Sequence, residues 1–218
     1  MKYGTKHSQI LFFFCSLSFI ILASGLFQGS GYEFFFSLAY CLAMIQGPYI
    51  VFRRRSYLLI SGILVLFSWG LNQWARASDE HLVRIISGIN WTLFNGYITW
   101  LMHRYTRRTE RVELDHILVV VITYILIGLT YSSAYVNLLF IDPTSFNIDP
   151  ALLQSEKEAW QVLLYYSFMT LTTVGYGDIT PHTHLARMLA SSEAIMGVMF
   201  IAIFVARMIS MYVGDRSR

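Results

Sequence analysis

The sequence predicts an all-α membrane protein with six transmembrane helices and one shorter helix that enters the membrane without crossing it. Hydrophobic residues make up 56% of its 218 residues and charged residues 13%, and the mean hydropathy is +0.52. Soluble domains carry about 25% charged residues, so this composition is typical of a chain whose main partner is the lipid bilayer. The net charge of +3 indicates no nucleic-acid partner, because the basic residues sort by membrane side instead.

Six apolar runs are long enough to cross a bilayer, which takes about 20 residues in a helix. The first run follows Lys2 and Lys6, so the start of the chain also resembles a signal peptide. Its apolar stretch, residues 10–25, lies at or beyond the upper end of the roughly 7 to 15 residues usual in a signal peptide. This length favours a retained helix over a cleaved one. The six runs cover residues 9–27, 33–52, 57–74, 82–102, 116–136 and 185–213.

Basic residues cluster after every second run, which predicts cytoplasmic termini and a multi-pass chain in the plasma (inner) membrane. The fourth run carries Arg84 near its outer end and no other basic residue before Arg104. One peripheral arginine supplies little gating energy, at about 2.3 kcal/mol per charge per 100 mV. We therefore predict two domains, a four-helix region at residues 1–112 without an arginine-rich voltage sensor and a second domain at residues 113–218.

The segment between the fifth and sixth runs predicts a helix that ends inside the membrane. Ser155 and Glu158 form an S-x-x-E capping box, and the apolar body of the helix follows at residues 159–171. At 1.5 Å per residue, this body is about 20 Å long, too short to cross a bilayer and return. Non-helical backbone is tolerated at that depth where it is buried in protein or lines a watery path. The stretch FMTLTTVGYGDITP, residues 168–181, is therefore expected to line a pore.

The glycines of this stretch explain how it can bind a cation. Gly175 and Gly177 tolerate positive φ, which residues with a Cβ resist. Alternating them with Val174 and Tyr176 lets successive carbonyl groups point the same way, whereas an ordinary strand would alternate them. A row of carbonyl oxygens pointing one way is a surface that coordinates cations, and Thr173 adds a hydroxyl oxygen at the inner end.

The sequence TTVGYGD resembles the signature of potassium channels, in which four such loops replace the hydration shell of the ion with backbone carbonyls. The resemblance covers chiefly the last hundred or so residues. It implies a re-entrant pore helix, K⁺ as the permeant ion and no organic cofactor. Since the chain holds one such loop, it also implies a four-fold symmetric homotetramer. The implied selectivity filter, with its K⁺ ligands, consists of Thr173, Val174, Gly175, Tyr176 and Gly177.

Other functions are weighed against a channel that conducts K⁺ passively. Potassium transporters with related loops place four degenerate loops in one longer chain, so the single intact loop argues against a transporter subunit. A regulatory subunit that is silent alone and depends on an unidentified partner stays open. An enzyme is not expected, because no nucleophile–base pair or metal-ligand cluster stands out in the sequence.

Four residues around the implied filter are expected to support it: Thr172, Asp178 at the outer mouth, Tyr165 and Tyr166. The resemblance implies that the two tyrosines brace the filter from behind. Their hydroxyl groups can bond Asp178 or the surroundings of the filter tyrosine, and plain packing of the pore helix is the alternative. Met169 stands where some relatives carry an acidic partner for the aspartate, so inactivation through a carboxyl pair is not expected.

The sixth run carries the residues expected to act in gating. Gly197 matches, in its spacing from Gly175, the inner-helix glycine that relatives use as a hinge, and close helix packing is the alternative. The resemblance implies that Val198, Ile201 and Val205 face the ion path, where a hydrophobic wall can gate by narrowing or dewetting.

Glu193 is an ionisable residue well inside the sixth run, and such residues are functional candidates by default. One interpretation buries it behind the filter, bonded to pore-helix groups such as Thr170 or Ser167. The other directs it into the cavity, where four copies would concentrate cations. The register of the neighbouring Ala194 favours the buried interpretation.

Overall fold

A computed structural model describes residues 2–26, 30–52, 55–78, 80–108, 114–153 and 155–216. The chain is helical almost throughout, and the predicted all-α class is confirmed. Each of the six apolar runs coincides with a helix, and the predicted short helix lies between the last two. The helices are α1 (Lys2–Leu26), α2 (Ser30–Phe52), α3 (Arg55–Ser78), α4 (His81–Arg108), α5 (Leu114–Ile141), α6 (Glu156–Leu171) and α7 (His184–Arg216).

Two helices of the described residues are long and apolar enough to cross a membrane. They are Leu114–Ile141, with a mean hydropathy of 2.1, and His184–Ser210, with a mean hydropathy of 2.0. A shorter apolar helical stretch, His7–Ala23, lies in α1. The two long helices flank α6, as expected for a helix that enters the membrane between two spans. The count of six spans stays a prediction.

The chain divides into two compact units. The first comprises Met1–Arg108 and Glu113–Thr123, and the second comprises Thr109–Val112 and Tyr124–Arg218. The boundary between them along the chain therefore falls inside α5. The predicted division into residues 1–112 and 113–218 stays a prediction.

The first unit packs α1 to α4 around buried apolar side chains such as Ile98 and Met44. Gly47 lies so close to neighbouring side chains that an added Cβ would be 3.0 Å from the ring of Phe13 and 3.2 Å from Met102. Such close approach of small residues is typical of helix packing in membranes, where association depends on van der Waals contact.

Polar pairs also join the helices of the first unit. The Tyr40 hydroxyl group of α2 donates a hydrogen bond to the side chain of Asn95 in α4. Asn90 Nδ2 of α4 donates to Ser68 Oγ of α3 at 2.8 Å. These hydrogen bonds give buried polar side chains of neighbouring helices partners within the first unit.

The second unit is built around a cluster of three aromatic rings. Tyr135 of α5 and Tyr166 of α6 lie with their ring centroids 5.1 Å apart, and each packs edge-on against Phe146, at 5.5 and 5.4 Å. Phe146 belongs to β1 (Phe146–Asn147), which pairs antiparallel with β2 (Thr180–Pro181). This two-residue ladder joins the segment before α6 to the segment after the glycine-rich loop, and it was not predicted.

Candidate functional site

The N-terminus of α6 is fixed by the predicted cap. Ser155 Oγ accepts a hydrogen bond from the backbone amide of Glu158 at 3.2 Å, and the Ser155 carbonyl oxygen accepts from Ala159 N at 3.0 Å. Ser155 has extended backbone, as an N-cap residue should. The cap determines where α6 begins.

The loop after α6 alternates between left-handed and ordinary backbone. Thr173, Gly175 and Gly177 have φ of 61°, 53° and 81°, while among non-glycine residues Thr173 alone has positive φ in the described chain. Positive φ at the two glycines agrees with the sequence analysis. Positive φ at Thr173 does not, since a β-branched residue there is strained by about 1–2 kcal/mol. Alternation of this kind is the backbone pattern that lets successive carbonyls face one side.

Backbone hydrogen bonds to α6 offset the strain in the loop. Thr173 N donates to Thr170 O at 3.0 Å, and both Val174 N and Gly175 N donate to Met169 O, at 2.9 and 3.1 Å. Three successive amides therefore turn toward the end of the pore helix. Coordination of a dehydrated cation by the carbonyl oxygens of these residues stays a prediction.

The implied filter is open on the surface of a single chain. All residues from Thr172 to Asp178 are exposed, with Val174 at 50% and Tyr176 at 72%. The residues on either side, Leu171 and Ile179, are buried. The loop is thus anchored at both ends within the chain, while the residues between the anchors face outward.

Asp178 and Tyr165 meet at the outer end of this loop. The Tyr165 hydroxyl group donates to Asp178 Oδ2 at 2.8 Å, and Ile179 N donates to Asp178 Oδ1 at 3.1 Å. Both side chains are exposed, so the hydrogen bond between them is open to solvent. The Thr172 hydroxyl group bonds back to Phe168 O at 2.6 Å and therefore caps α6.

The two neighbouring tyrosines of α6 have different surroundings. Tyr165 bonds Asp178, whereas Tyr166 is 6% exposed and packs in the aromatic cluster with Tyr135 and Phe146. Successive residues of an α-helix point about 100° apart, so the two rings cannot face the same neighbour. Tyr165 makes the predicted bond to Asp178, whereas Tyr166 packs in the cluster and shares a side-chain hydrogen bond with Thr170. The support of the filter by these tyrosines stays a prediction.

Comparison with known proteins identifies the family. A family model described as "Ion channel" matches residues 147–214. Protein LctB of Bacillus caldotenax is 33% identical over 123 residues, which make up 55% of this chain and 90% of LctB. The chain belongs to the potassium channel pore family. Together with the two apolar helices, this membership makes it a membrane protein.

Longer relatives of the potassium channel pore family match over shorter stretches. Potassium voltage-gated channel subfamily KQT member 4 of Homo sapiens is 52% identical over 49 residues, which are 22% of this chain and 7% of that protein. Two pore potassium channel c of Oryza sativa subsp. japonica is 31% identical over 100 residues, 46% of this chain and 19% of that channel. The chain therefore spans only a small part of these channels. No solved structure shows a significant match.

Gly197 of α7 packs directly against the C-terminal end of α6. A Cβ built on Gly197 would be 2.1 Å from Leu171 O, a distance that no real Cβ shows. The same carbonyl oxygen accepts a hydrogen bond from the Tyr124 hydroxyl group of α5 at 3.0 Å. Close packing therefore suffices to explain a glycine here, and its role in gating stays a prediction.

The three residues expected to line the ion path lie on an uncovered part of α7. Val198, Ile201 and Val205 are 53%, 49% and 47% exposed in the single chain. They alternate with further exposed apolar side chains of the same helix, including Ile195 and Ile203. Such a helix needs lipid, further protein or a pore against it on several sides, and the path of an ion along it stays a prediction.

Glu193 takes the buried orientation. It is 0% exposed, and its two oxygens lie 2.5 Å from Ser167 Oγ of α6 and 2.6 Å from the Tyr135 hydroxyl group of α5. Ser167 was one of the two partners expected from the sequence, and Thr170 was the other. The cavity-facing alternative is not what the structure shows.

Three features of this region were missed by sequence reasoning. They are the positive φ of Thr173, the hydrogen bond from Tyr124 to the end of α6, and the participation of Tyr135 with Glu193. Tyr124 and Tyr135 are polar-tipped aromatic residues in an otherwise apolar run. Because a buried tyrosine hydroxyl group usually finds a partner, their presence was a signal that could have been used.

Proposed function

We propose that the chain is a potassium-selective channel subunit that conducts K⁺ passively across the plasma membrane through a central pore formed by four copies. The proposal places both termini in the cytoplasm and takes Thr173 to Gly177 as the selectivity filter. It makes K⁺ the transported ion, with no organic cofactor. The bilayer and further copies of the chain are the expected partners.

The observation that carries this proposal is the backbone of the loop after α6. Its alternating φ values, together with three amides turned toward the pore helix, fit a row of carbonyl oxygens directed at one path. Selectivity in such a row depends on the number and field strength of carbonyl dipoles around the ion. One chain offers one row, so several converging copies are needed to surround an ion.

The exposure of the loop and of α7 supports assembly around a common axis. The filter residues are exposed in one chain, as are Val198, Ile201 and Val205. A closed ring of identical subunits is the usual way in which one chain builds a symmetric path. In a tetramer these side chains would face the axis or the neighbouring copies.

The test is ion flux through the purified chain in liposomes, with K⁺ and Na⁺ compared in parallel. Gly175→Ala places a Cβ at φ +53°, and no atom of the same chain lies within 4 Å of it, so within one subunit the substitution acts through backbone conformation. We expect K⁺ flux that exceeds Na⁺ flux, is blocked by barium, and is lost in this variant.

Gly62→Ala is the matched control, because a Cβ added at Gly62 in α3 also meets nothing within 4 Å and its backbone is helical. This control should conduct like the wild type. Equal K⁺ and Na⁺ flux would contradict a selective filter. Absence of flux from a folded, assembled wild-type protein under all conditions would contradict a channel that functions alone and favour a subunit that needs a partner.

A further inference from the structure

One buried carboxyl group contacts all three long elements of the second unit. Glu193 lies on α7, and its Oε2 is 2.6 Å from the hydroxyl oxygen of Tyr135 on α5. Its Oε1 is 2.5 Å from Oγ of Ser167 on α6. Ser167 Oγ lies in turn 2.8 Å from the carbonyl oxygen of Gly128 on α5. Four polar groups thus form one chain of contacts behind the loop that we propose as the filter.

The number of protons needed for these contacts exceeds what the hydroxyl groups can supply. Three oxygen–oxygen contacts at hydrogen-bond distance need three protons, one in each. Tyr135 and Ser167 bring one hydroxyl proton each, and a backbone carbonyl oxygen brings none. If Ser167 gave its proton to Glu193, its close contact with Gly128 O would join two oxygens with no proton between them. A single serine proton shared between two acceptors would serve both contacts weakly, so the arrangement that gives each contact its own proton places the third on the Glu193 carboxyl group.

We infer that Glu193 is held as a neutral carboxylic acid and is a positioning residue for the pore helix. Its O–H group donates to Ser167, Ser167 donates to the Gly128 carbonyl, and Tyr135 donates to the second oxygen of the acid. Each contact then has one donor and one acceptor. This relay fastens α6 to α5 and α7 at Ser167, four residues before the end of α6. Its consequence for selectivity rests on the proposed function, whereas its protonation does not.

The surroundings of Glu193 agree with a neutral acid. The titratable groups that face it are tyrosines of the neighbouring helices, Tyr124 and Tyr135 from α5 and Tyr166 from α6. The partners of its two oxygens are both hydroxyl groups, which carry no positive charge. Burying an ionised carboxylate without a positive partner is very costly, whereas a hydrogen-bonded neutral carboxyl group is tolerated.

A glutamine at position 193 has the same pattern of donors and acceptors as the neutral acid. In Glu193→Gln, the amide N–H can donate to Ser167 while the amide oxygen accepts from Tyr135. In Glu193→Leu, both hydroxyl groups lose that partner inside the protein. We expect the glutamine variant to assemble and to discriminate K⁺ from Na⁺ like the wild type. We expect the leucine variant to lose about tenfold in that discrimination, or to assemble poorly, because buried polar groups are left unpaired.

The direct test is infrared difference spectroscopy on the purified protein at neutral pH. Wild type minus Glu193→Gln should show the carbonyl stretch of a protonated carboxyl group, a band that a carboxylate lacks. Glu80→Gln changes an exposed carboxyl group and is the matched control. This variant should keep the protonated-carboxyl band, so that band should be absent from the spectrum of wild type minus Glu80→Gln. Carboxylate bands in the Glu193 difference spectrum would overturn the inference.

A second variant tests the geometry of the relay. Ser167→Ala removes the acceptor of the acid proton, so the protonated-carboxyl band should move to higher frequency, as it does when a hydrogen bond from the acid is lost. An unchanged band would show that Glu193 does not donate to Ser167. These spectra need no conduction. A wild type without K⁺ flux but with the band would therefore contradict the proposed function alone, and a selective wild type without the band would contradict the relay alone.

Discussion

Gly197→Ala adds one methyl group at a place where α7 packs directly against the end of α6. The new Cβ would start 2.1 Å from Leu171 O and must retreat by about 0.9 Å to reach 3.0 Å, the shortest distance seen for real Cβ atoms. The obstacle is a backbone carbonyl that cannot rotate away, and it holds a hydrogen bond from Tyr124. Either α7 moves outward or the last turn of α6 shifts, and Leu171 lies two residues before Thr173, the first residue of the proposed filter.

The energetic balance of this substitution is negative. Overpacking costs about 1–3 kcal/mol, and disturbing the hydrogen bond from Tyr124 costs about 1 kcal/mol more. Replacing a helical glycine by alanine returns about 1 kcal/mol through helix propensity. We expect a net loss of about 2 kcal/mol in the free energy of unfolding, which lowers the melting temperature by about 4–8 °C in a chain of this size.

The assay compares Gly197→Ala with Gly62→Ala in the same detergent, following helix content and tetramer retention on heating. Gly62→Ala receives the propensity gain without a clash, since nothing lies within 4 Å of its new Cβ. It should therefore melt at or above the wild-type temperature. If Gly197→Ala melts with the control while its conduction changes, Gly197 acts as a hinge and the packing argument is refuted.

Three further predictions concern the loop and its surroundings. Tyr165→Phe removes the hydrogen bond to Asp178 and should destabilise the outer end of the proposed filter by about 1 kcal/mol. Liposome flux should then discriminate less between K⁺ and Na⁺, and unchanged discrimination would contradict this prediction. The Thr144 hydroxyl and backbone amide lower the pKa of exposed Asp142, so this pair should stabilise the chain above about pH 4 and lose its effect as acidification protonates Asp142. Melting curves against pH should show a smaller acid dependence in Thr144→Ala, and equal slopes would refute this. Thr173→Gly relieves a backbone strain of about 1–2 kcal/mol, whereas the conformational entropy of glycine costs about 0.5–1 kcal/mol. The melting temperature should therefore stay the same or rise, while K⁺ flux falls. A lower melting temperature would contradict strain at Thr173.

The main elements of the second unit could be predicted because each has a local cause. Long apolar runs become helices, and the Ser155 cap determines where α6 begins. Positive φ could be assigned to Gly175 and Gly177 because glycine alone adopts it without a steric cost. The same reasoning made no prediction for Thr173, whose backbone is held by hydrogen bonds to α6 from its own amide and from the amides of the next two residues. Those bonds depend on how the loop folds back, which residue type does not reveal.

The contacts between helices were harder to predict. An amphipathic helix shows which face is buried, but helices that are apolar on all sides give no such rotation signal. The sequence therefore placed Glu193 inside the membrane without selecting Tyr135 as its partner. For Gly197, a hinge and a close contact require the same residue at the same spacing. The short distance from a Cβ built on Gly197 to Leu171 O is what supports close packing, and this distance cannot be read from the sequence.

The two-residue ladder between β1 and β2 affects the cost of assembly. Together with the bond from His182 N to Ser145 O at 2.8 Å, the ladder clips both ends of the segment that contains α6 and the loop. The loop amides are also tied down within the same chain. The chain therefore orders the segment that we propose as the filter when it folds, and little conformational entropy would remain to be lost when copies meet. The subunits of the proposed tetramer would then associate in an already ordered form. Mutations that break the β1–β2 ladder or the bond from His182 to Ser145 should therefore slow assembly more than they destabilise the assembled pore.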